Sequence, residues 1–330
     1  MNLTPYLIRG LATGGQFALV AIGYTMVYGI LKLINFAHGD LFMLSGIMMI
    51  YLAASFPTMP MWVTILIMIA LTVFVGFAIE KCAYSPLRTA PRMSVMISAI
   101  GVSYLLQNLV CYVTGGLAKQ FPDIPLISQS IRVFGVKDKL AVFISPLVAV
   151  VLMVILVLII NHTKFGMSMR AVSKDFETAQ LMGVKINRVI SMTFIIGSFL
   201  AAVGALLYFA KNTGINHMAG STPGIKAFIA AVVGGIGSVS GSVIAAFIYY
   251  ASSEWWLRFL DLETYTASGA RVPLLGYGFR MVVFSVLIMI VVLFFRKGIM
   301  GTREVSVYDD IRKIGRFFTR KSAAKGGDVQ

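Results

Sequence analysis

Apolar residues occur in runs that are long enough to cross a lipid bilayer, and short polar segments separate these runs. A membrane helix needs about 20 mainly apolar residues. Windows of this kind lie at about residues 7–30, 62–79, 94–113, 142–160, 189–208 and 277–295. Two further stretches are less regular: 40–54 is short for a span, and 226–256 is interrupted by glycines, which we interpret as two short segments around a turn. The pattern predicts an all-α, polytopic membrane helix bundle of about eight or nine spans.

Composition excludes a soluble protein. The 330 residues are 58% hydrophobic and only 12% charged, and the mean hydropathy is +0.87. No segment between the apolar runs is long enough for a separate core, so we expect one transmembrane domain over residues 1–300. The net charge of +15 suggests nucleic acid in a soluble protein, but these cations lie in short loops and near the C-terminus. There they are expected to face cytoplasm and anionic lipid, and we predict no nucleic-acid partner.

Lysine and arginine are concentrated beside the spans, and such clusters mark cytoplasmic loops. The clusters are Lys81 with Arg88 and Arg92, the cations of 164–188, and the tail from 296 to 325. They predict a cytoplasmic C-terminus and place segments 114–141 and 257–276 outside. Residues 301–330 form a basic cytoplasmic tail, in which apolar residues recur at helical spacing and predict a short amphipathic helix.

The sequence contains no motif of an enzyme. It has no GxxxxGK[ST] loop for ATP and no HExxH, and His38, His162 and His217 are dispersed. Cys82 and Cys111 form no CxxC pair, so we predict no disulfide and no metal site. Acidic residues are scarce in the secure spans, which argues against a proton-coupled carrier. We assign no catalytic residue.

A knot of polar residues separates the first two apolar runs. It contains Asn35, His38 and Asp40, with Phe36 between them. One interpretation is structural, because such side chains cap helices or form interhelical hydrogen bonds. The other places Asn35, Phe36 and His38 along a transport pathway, because polar residues at membrane depth often serve function.

The glycine-rich break at Gly234, Gly235, Gly237 and Gly241 also allows two interpretations. Gly237 and Gly241 have the GxxxG spacing that lets helix backbones approach each other closely, as do Gly10 and Gly14 at the N-terminus. Alternatively, the break exposes backbone groups toward a cavity, where they contact the carboxylate and ammonium groups of a zwitterion. On the second interpretation Gly234, Gly235 and Gly237 line a pathway.

Residues 163–188 are too polar to span a membrane and too patterned for a slack loop. They predict a short helix parallel to the membrane, which Gly183 ends, and the alternative on this pattern alone is an ordinary cytoplasmic connector. Within this segment, Glu177-Thr178-Ala179 followed by Gly183 resembles the EAAxxxG coupling motif of ABC importer permeases, with threonine at the middle alanine. The surrounding residues from Gly166 to Gly204 extend the resemblance.

Two further blocks agree with this motif. The N-terminal block runs from Gly10 to Gly39 and ends in Ile34-Asn35-Phe36-Ala37-His38-Gly39, and the other is Gly234-Gly235-Ile236-Gly237-Ser238. The blocks follow one another in the expected order across nearly the whole chain. The sequence is therefore similar to the permeases of branched-chain amino-acid ABC importers, which have the type II importer architecture.

The resemblance implies a subunit that forms half of a pore for leucine, isoleucine and valine in a bacterial inner membrane. It implies as partners a second related permease in a heterodimer, two ATP-binding subunits that hold ATP and magnesium, and a periplasmic substrate-binding protein. Asp175, Glu177, Ala179 and Gly183 would couple this chain, which is itself no enzyme and binds no cofactor, to the ATPases. Two alternatives stay open: an ABC permease for urea or short amides, and a stand-alone secondary carrier.

Overall fold

The computed structural model describes most of the first 260 residues and several short pieces beyond them. The described residues are 4–32, 35–88, 90–133, 136–235, 237–259, 263–265 and 271–273, with 282, 285, 286 and 289. The predicted span at 277–295, apart from those last four residues, lies outside this part of the chain. The predicted tail at 301–330, with its amphipathic helix, also lies outside it.

Helices account for most of the described chain. They are α1 (Thr4–Leu31), α2 (Ala37–Ser55), α3 (Met61–Ile79), α4 (Arg92–Thr114), α5 (Pro125–Ser128), α6 (Leu140–His162), α7 (Lys164–Lys174), α8 (Phe176–Leu181), α9 (Ile186–Lys211), α10 (Ser221–Gly234) and α11 (Val239–Phe259). A π-helix (Glu80–Tyr84) and a 3-10 turn (Ser85–Leu87) follow α3 directly.

Short antiparallel ribbons in the loops depart from the all-α prediction. They pair β1 (Lys119–Gln120) with β4 (Gly214–Ile215), β2 (Ser130–Val133) with β3 (Val136–Lys139), and β5 (Glu263–Tyr265) with β6 (Arg271–Pro273). These strands are two to four residues long and satisfy loop backbone groups. Hydrophobic periodicity does not reveal elements of that length.

In the described residues, six helices are long and apolar enough to cross a membrane. They are Gly10–Leu31, Ala37–Ser55, Met61–Leu87, Met93–Thr114, Leu140–His162 and Ile186–Lys211. A seventh candidate is the pair Ser221–Gly234 and Val239–Ala251, which bends by 116° at its break. The predicted interruption of 226–256 is confirmed, and the chain is a multi-pass membrane protein. The total of about eight or nine spans stays a prediction.

The spans form an inner and an outer group. The apolar windows of α1, α2 and α9 are 83%, 67% and 67% buried, whereas those of α3, α4 and α6 are only 22–28% buried. Close glycine contacts bring α1 against α11: a Cβ at Gly10 would lie 2.9 Å from the Ala251 Cα, and one at Gly14 would lie 3.1 Å from the Phe247 Cα. This supports the packing interpretation of the first GxxxG pair.

Helix α2 begins inside the bundle rather than at its edge. Lys32, directly after α1, has a φ of +54°. The His38 ring then lies against Gly23 of α1 and Gly197, which is near the middle of α9. The stretch at 40–54 looked short because the first turn of α2 contains His38 and Asp40, which interrupt the apolar pattern although both are buried.

The described basic clusters share one end of the bundle, which we call the basic end. Arg88, after α3, donates a hydrogen bond to the Asn187 side chain at the start of α9, and Arg170 of α7 donates one to the Ile160 carbonyl at the end of α6. The β1–β4 ribbon joins the loop after α4 to the loop after α9, at the other end. Segment 114–141 therefore lies opposite the basic end.

Candidate functional site

The segment predicted to couple to ATPases forms a corner of two helices at the basic end. Thr163 caps α7 by accepting a hydrogen bond from the Gly166 amide at 3.1 Å. Asp175 stands between α7 and α8 and caps α8, accepting hydrogen bonds from the amides of Glu177 and Thr178 at 3.0 and 3.3 Å. The expected short helix is thus two helices of 11 and 6 residues.

Asp175 stabilises the start of α8, in addition to its predicted role in coupling to the ATPases. The Thr178 hydroxyl and amide donate hydrogen bonds to this carboxylate, and they lower the pKa of Asp175 below its ordinary value. Asp175 is exposed, so the carboxylate can still meet a partner. An aspartate before a helical segment is a recognisable N-cap signal, which the predicted coupling role of Asp175 did not include.

Gly183 ends α8, as predicted. The Val184 amide donates to the Ala179 carbonyl at 3.1 Å and the Gly183 amide donates to the Gln180 carbonyl at 3.0 Å, which is the Schellman arrangement. Gly183 has a φ of +80°, a conformation in which glycine avoids the strain of a side chain. A Cβ at this position would meet no atom within 4 Å.

Helix α8 turns an apolar surface away from the bundle. Leu181 and Met182 are 87% and 80% exposed, and Glu177 and Gly183 are exposed beside them. We call these four residues the α8 surface. Ala179 is only 4% exposed, so it holds the helix against the bundle and is not part of that surface. Which side of so short a helix faces outward could not be read from its pattern.

A buried cluster lies beside α8, where α3 passes into the π-helix. Glu80 is fully buried, accepts a hydrogen bond from Ser191 at 2.8 Å, and forms an ion pair with Arg88. At the other end of the π-helix, the Tyr84 hydroxyl donates to the Asn35 side chain at 2.8 Å. A single π-helical turn therefore joins the basic end to the polar knot.

Asn35 and His38 pack inside the bundle and line none of the described cavities. The His38 ring meets Tyr24 edge to face at a centroid distance of 4.8 Å, and its amide donates to the Asn35 carbonyl at 3.2 Å. Among the described residues, neither His38 Nε2 nor Asn35 Nδ2 has a hydrogen-bond partner. This geometry favours the structural interpretation for both side chains.

Phe36 and Asp40 instead border a cavity of ≈180 Å³ between α1, α2, α4 and α10, which we call the Asp40 cavity. Asp40 is 2% exposed and accepts hydrogen bonds from Ser103 at 2.5 Å and from Gln107 at 3.0 Å. The remaining lining residues are Tyr24, Gly39, Gly220, Ser221, Gly224, Ile225 and Phe228. Of the residues at 35–38 proposed for a pathway, only Phe36 borders a described cavity.

Two buried acids limit the expectation that acidic residues are scarce within the membrane bundle. The scarcity of acidic residues held for the secure windows, but Asp40 near the start of α2 and Glu80 just beyond α3 are both buried. Both lie outside those windows, at the ends of apolar runs. Ser103, Gln107 and Ser191 are the hydrogen-bond partners that hold them, and the sequence analysis missed all three.

The glycine break combines close packing with one cavity wall. A Cβ at Gly234 would lie 2.3 Å from the Gly241 carbonyl oxygen, so these two backbones touch. Gly235 and Gly237 have φ values of +108° and +104°. Among the three glycines proposed for a pathway, Gly237 alone borders a described cavity, one of ≈450 Å³ at the basic end near Arg170.

Among the described residues, no group of three or more His, Cys, Asp or Glu side chains could hold a metal ion. Cys82 and Cys111 are free thiols.

Comparison with known proteins assigns this arrangement to a family. The family profile described as branched-chain amino acid transport system / permease component matches residues 6–295. The chain belongs to this family. Its match covers every described helix from α2 to α11 and nearly all of α1.

Named members of the family match over almost their full length. BraD, a high-affinity branched-chain amino acid transport system permease protein of Pseudomonas aeruginosa, is 36% identical over 91% of this chain and 96% of its own. LivH of Escherichia coli, which carries the same description, is 32% identical over the same shares. LsrC of Klebsiella pneumoniae, an autoinducer 2 import system permease protein, is 25% identical over 51% of this chain and 52% of its own.

Proposed function

We propose that this chain is the permease subunit of an ATP-driven importer for leucine, isoleucine and valine in a bacterial inner membrane. The observation that carries the proposal is the near full-length similarity to BraD and LivH, whose names specify branched-chain amino acid transport. The fold is compatible with this role, because several apolar helices are long enough to cross a membrane and leave cavities between them. The C-terminus lies in the cytoplasm together with the basic end.

ATP and magnesium are held by separate partner subunits, because the whole sequence lacks a P-loop motif. A second, related permease completes the pore as a heterodimer, and a periplasmic binding protein delivers the substrate. The low burial of the apolar windows of α3, α4 and α6 leaves large surfaces for lipid and for the second permease.

The α8 surface is where we place the contact with an ATPase. Leu181 and Met182 are large apolar side chains on a helix at the basic end, and exposed apolar groups of this kind are typical of protein interfaces. Glu177 and the Asp175 carboxylate add polar contacts, Ala179 anchors the helix, and Gly183 permits close approach. ATP binding drives transport only if the ATPases bind one pore state more tightly than the other, and this contact transmits that difference.

The π-helix at Glu80–Tyr84 gives a route from the α8 surface to the membrane interior. Arg88 borders the groove beside α8 and pairs with Glu80, and Tyr84 holds Asn35 at the level of the polar knot. Single π-helical turns occur often at functional sites. A movement of α8 would thus reach the start of α2 through the packing at this groove, the Arg88–Glu80 pair, the π-helix and the Tyr84–Asn35 hydrogen bond.

Uptake in a strain that lacks this chain tests the proposed function. We expect the restored chain to support accumulation of labelled leucine, isoleucine and valine, and we expect a P-loop lysine substitution in the partner ATPases to abolish it. Labelled urea, acetamide and autoinducer 2 serve as the competing substrates. Faster uptake of one of those solutes would overturn the substrate assignment, and uptake that persists with inactive ATPases would favour a secondary carrier.

A further inference from the structure

Asp40 is a buried carboxylate whose charge is not neutralised by any ion pair in the described part of the chain. Glu80, by contrast, forms ion pairs with Lys81 and Arg88. Asp40 lies in the bundle interior, next to residues that contact the middle of α1 and α9. Isolated charges at such depth are expensive unless a counter-charge or a polar pathway accompanies them.

The hydrogen bonds of Asp40 leave acceptor sites free. Each carboxylate oxygen accepts one hydrogen bond, one from Ser103 and the other from Gln107. The two oxygens of a carboxylate together offer about four acceptor positions, so roughly two remain. A group with several N–H donors and a positive charge matches what this carboxylate lacks.

The walls of the Asp40 cavity suit the rest of an aliphatic amino acid. Phe36, Phe228 and Ile225 provide apolar and aromatic surface, and aromatic faces also attract an ammonium group. Helix α10 begins at the cavity with Gly220 as its N-cap and with no side-chain cap, so its positive end faces the same space. The volume of ≈180 Å³ is smaller than that of pockets for drug-sized ligands, which begin at about 300 Å³, so the cavity suits only a small solute.

Three glycines make room for this arrangement. A Cβ at Gly39 would lie 2.8 Å from the Gly220 carbonyl oxygen, and a Cβ at Gly224 would lie 3.0 Å from the Gly39 Cα. The backbones of α2 and α10 therefore touch at the cavity, and Asp40 follows Gly39 directly. Asp40 and the start of α10, at Gly220 and Ser221, therefore border the same cavity.

We propose that Asp40 receives the α-ammonium group of the transported amino acid at a transient site in the Asp40 cavity, with the aliphatic side chain against Phe36, Ile225 and Phe228. The substrate carboxylate faces the start of α10. The proposal rests on the proposed function, because it takes the substrate to be a free amino acid.

Protection of an introduced thiol tests the site in the assembled transporter. Ile225 lines the cavity and is exposed, so we replace it by cysteine in a Cys82→Ser, Cys111→Ser background and measure its reaction with a small maleimide. Leucine and isoamylamine both carry the ammonium group and are expected to slow the reaction. 4-Methylpentanoate carries only the carboxylate and is expected to leave the rate unchanged.

The Asp40→Asn substitution keeps the shape of the side chain and removes its charge. We expect it to raise the leucine concentration needed for protection by about 10- to 100-fold, as for the loss of a hydrogen bond between charged groups, and we expect Asp40→Glu to recover part of the protection. Ser45→Ala is the matched control, because Ser45 is a buried polar residue of the same helix that contacts Met68 and not the cavity.

Three results would overturn the proposal: equal protection by 4-methylpentanoate, unchanged protection by leucine in Asp40→Asn, or protection by sodium chloride when it replaces sucrose at equal osmolality. The last result would mean a site for inorganic cations. If Asp40→Asn does not assemble while Ser45→Ala does, the ligand series on the chain with Asp40 intact decides alone. Failure of the proposed function is a separate outcome, in which that same transporter shows no ATP-dependent uptake.

Discussion

Substitutions at Gly183 separate the backbone requirement of α8 from contact with a partner subunit. Gly183 is exposed, has a φ of +80°, and has open space where a Cβ would lie. Alanine and tryptophan therefore meet the same backbone strain and no atom of this chain within 4 Å of the Cβ. Asparagine is the matched control, because it adopts the left-handed conformation more readily than most residues.

The backbone strain has a definable size. A left-handed conformation costs a residue with a side chain about 1–2 kcal/mol, which is a factor of roughly 5–30 in a local equilibrium. We expect Gly183→Asn to have nearly the activity of the unaltered protein. We expect the activity of Gly183→Ala to fall by no more than that factor. Gly183→Trp carries the same strain, and any loss beyond that of alanine measures a clash with a partner.

The assay is substrate-stimulated ATP hydrolysis together with leucine uptake, both in proteoliposomes that hold the assembled transporter. Gly183→Trp is expected to insert into the membrane and to abolish both activities. Equal activities for Gly183→Trp and Gly183→Ala would show that the α8 surface faces water. Normal uptake by Gly183→Trp would remove the coupling assignment altogether.

Three further predictions concern packing, the buried ion pair and pH. Gly23→Ala would place a Cβ 2.3 Å from His38 Nε2, so we expect lower thermal stability in detergent and recovery when His38→Ala is added; no recovery would contradict the packing. Glu80→Gln should destabilise the protein by about 1–3 kcal/mol, because Arg88, which stays partly exposed, loses its charged partner. If the losses of thermal stability in Glu80→Gln and Arg88→Gln simply add in the double variant, the two residues do not interact and the pair is refuted. The pKa of Asp175 is lowered, so its cap is complete above the ordinary carboxyl pKa of about 3.9 and is lost as the pH falls through the lowered value. Hydrogen exchange in the first turn of α8, corrected for intrinsic rates, should therefore be constant from about pH 5 to 8, and a change in that range would contradict the cap.

Local signals in the sequence were sufficient for most of the helices. Apolar windows located the spans, Gly183 marked the end of α8, and the glycine-rich stretch at 234–241 marked the bend between α10 and α11. Such features depend on residues that are neighbours along the chain. The start of α2 at Ala37 was missed because hydropathy reports apolarity and not depth in the bundle.

The side-chain partners of the site could not be predicted, because they are distant in the sequence. Asp40 accepts hydrogen bonds from residues 63 and 67 positions away, Ser103 and Gln107. Glu80 accepts one from Ser191, which is 111 positions away. Grouping Asp40 with its sequence neighbours Asn35 and His38 therefore described the wrong contacts, although it identified the right region.

Purification of the tagged, full-length chain from its native membrane in mild detergent tests the central claim most directly. Every polypeptide that co-purifies is identified by mass. We predict recovery of two P-loop ATPases and a second apolar permease together with this chain. Recovery of this chain alone, in a detergent that keeps other multisubunit transporters intact, would contradict the account and would leave the α8 surface without its proposed partner.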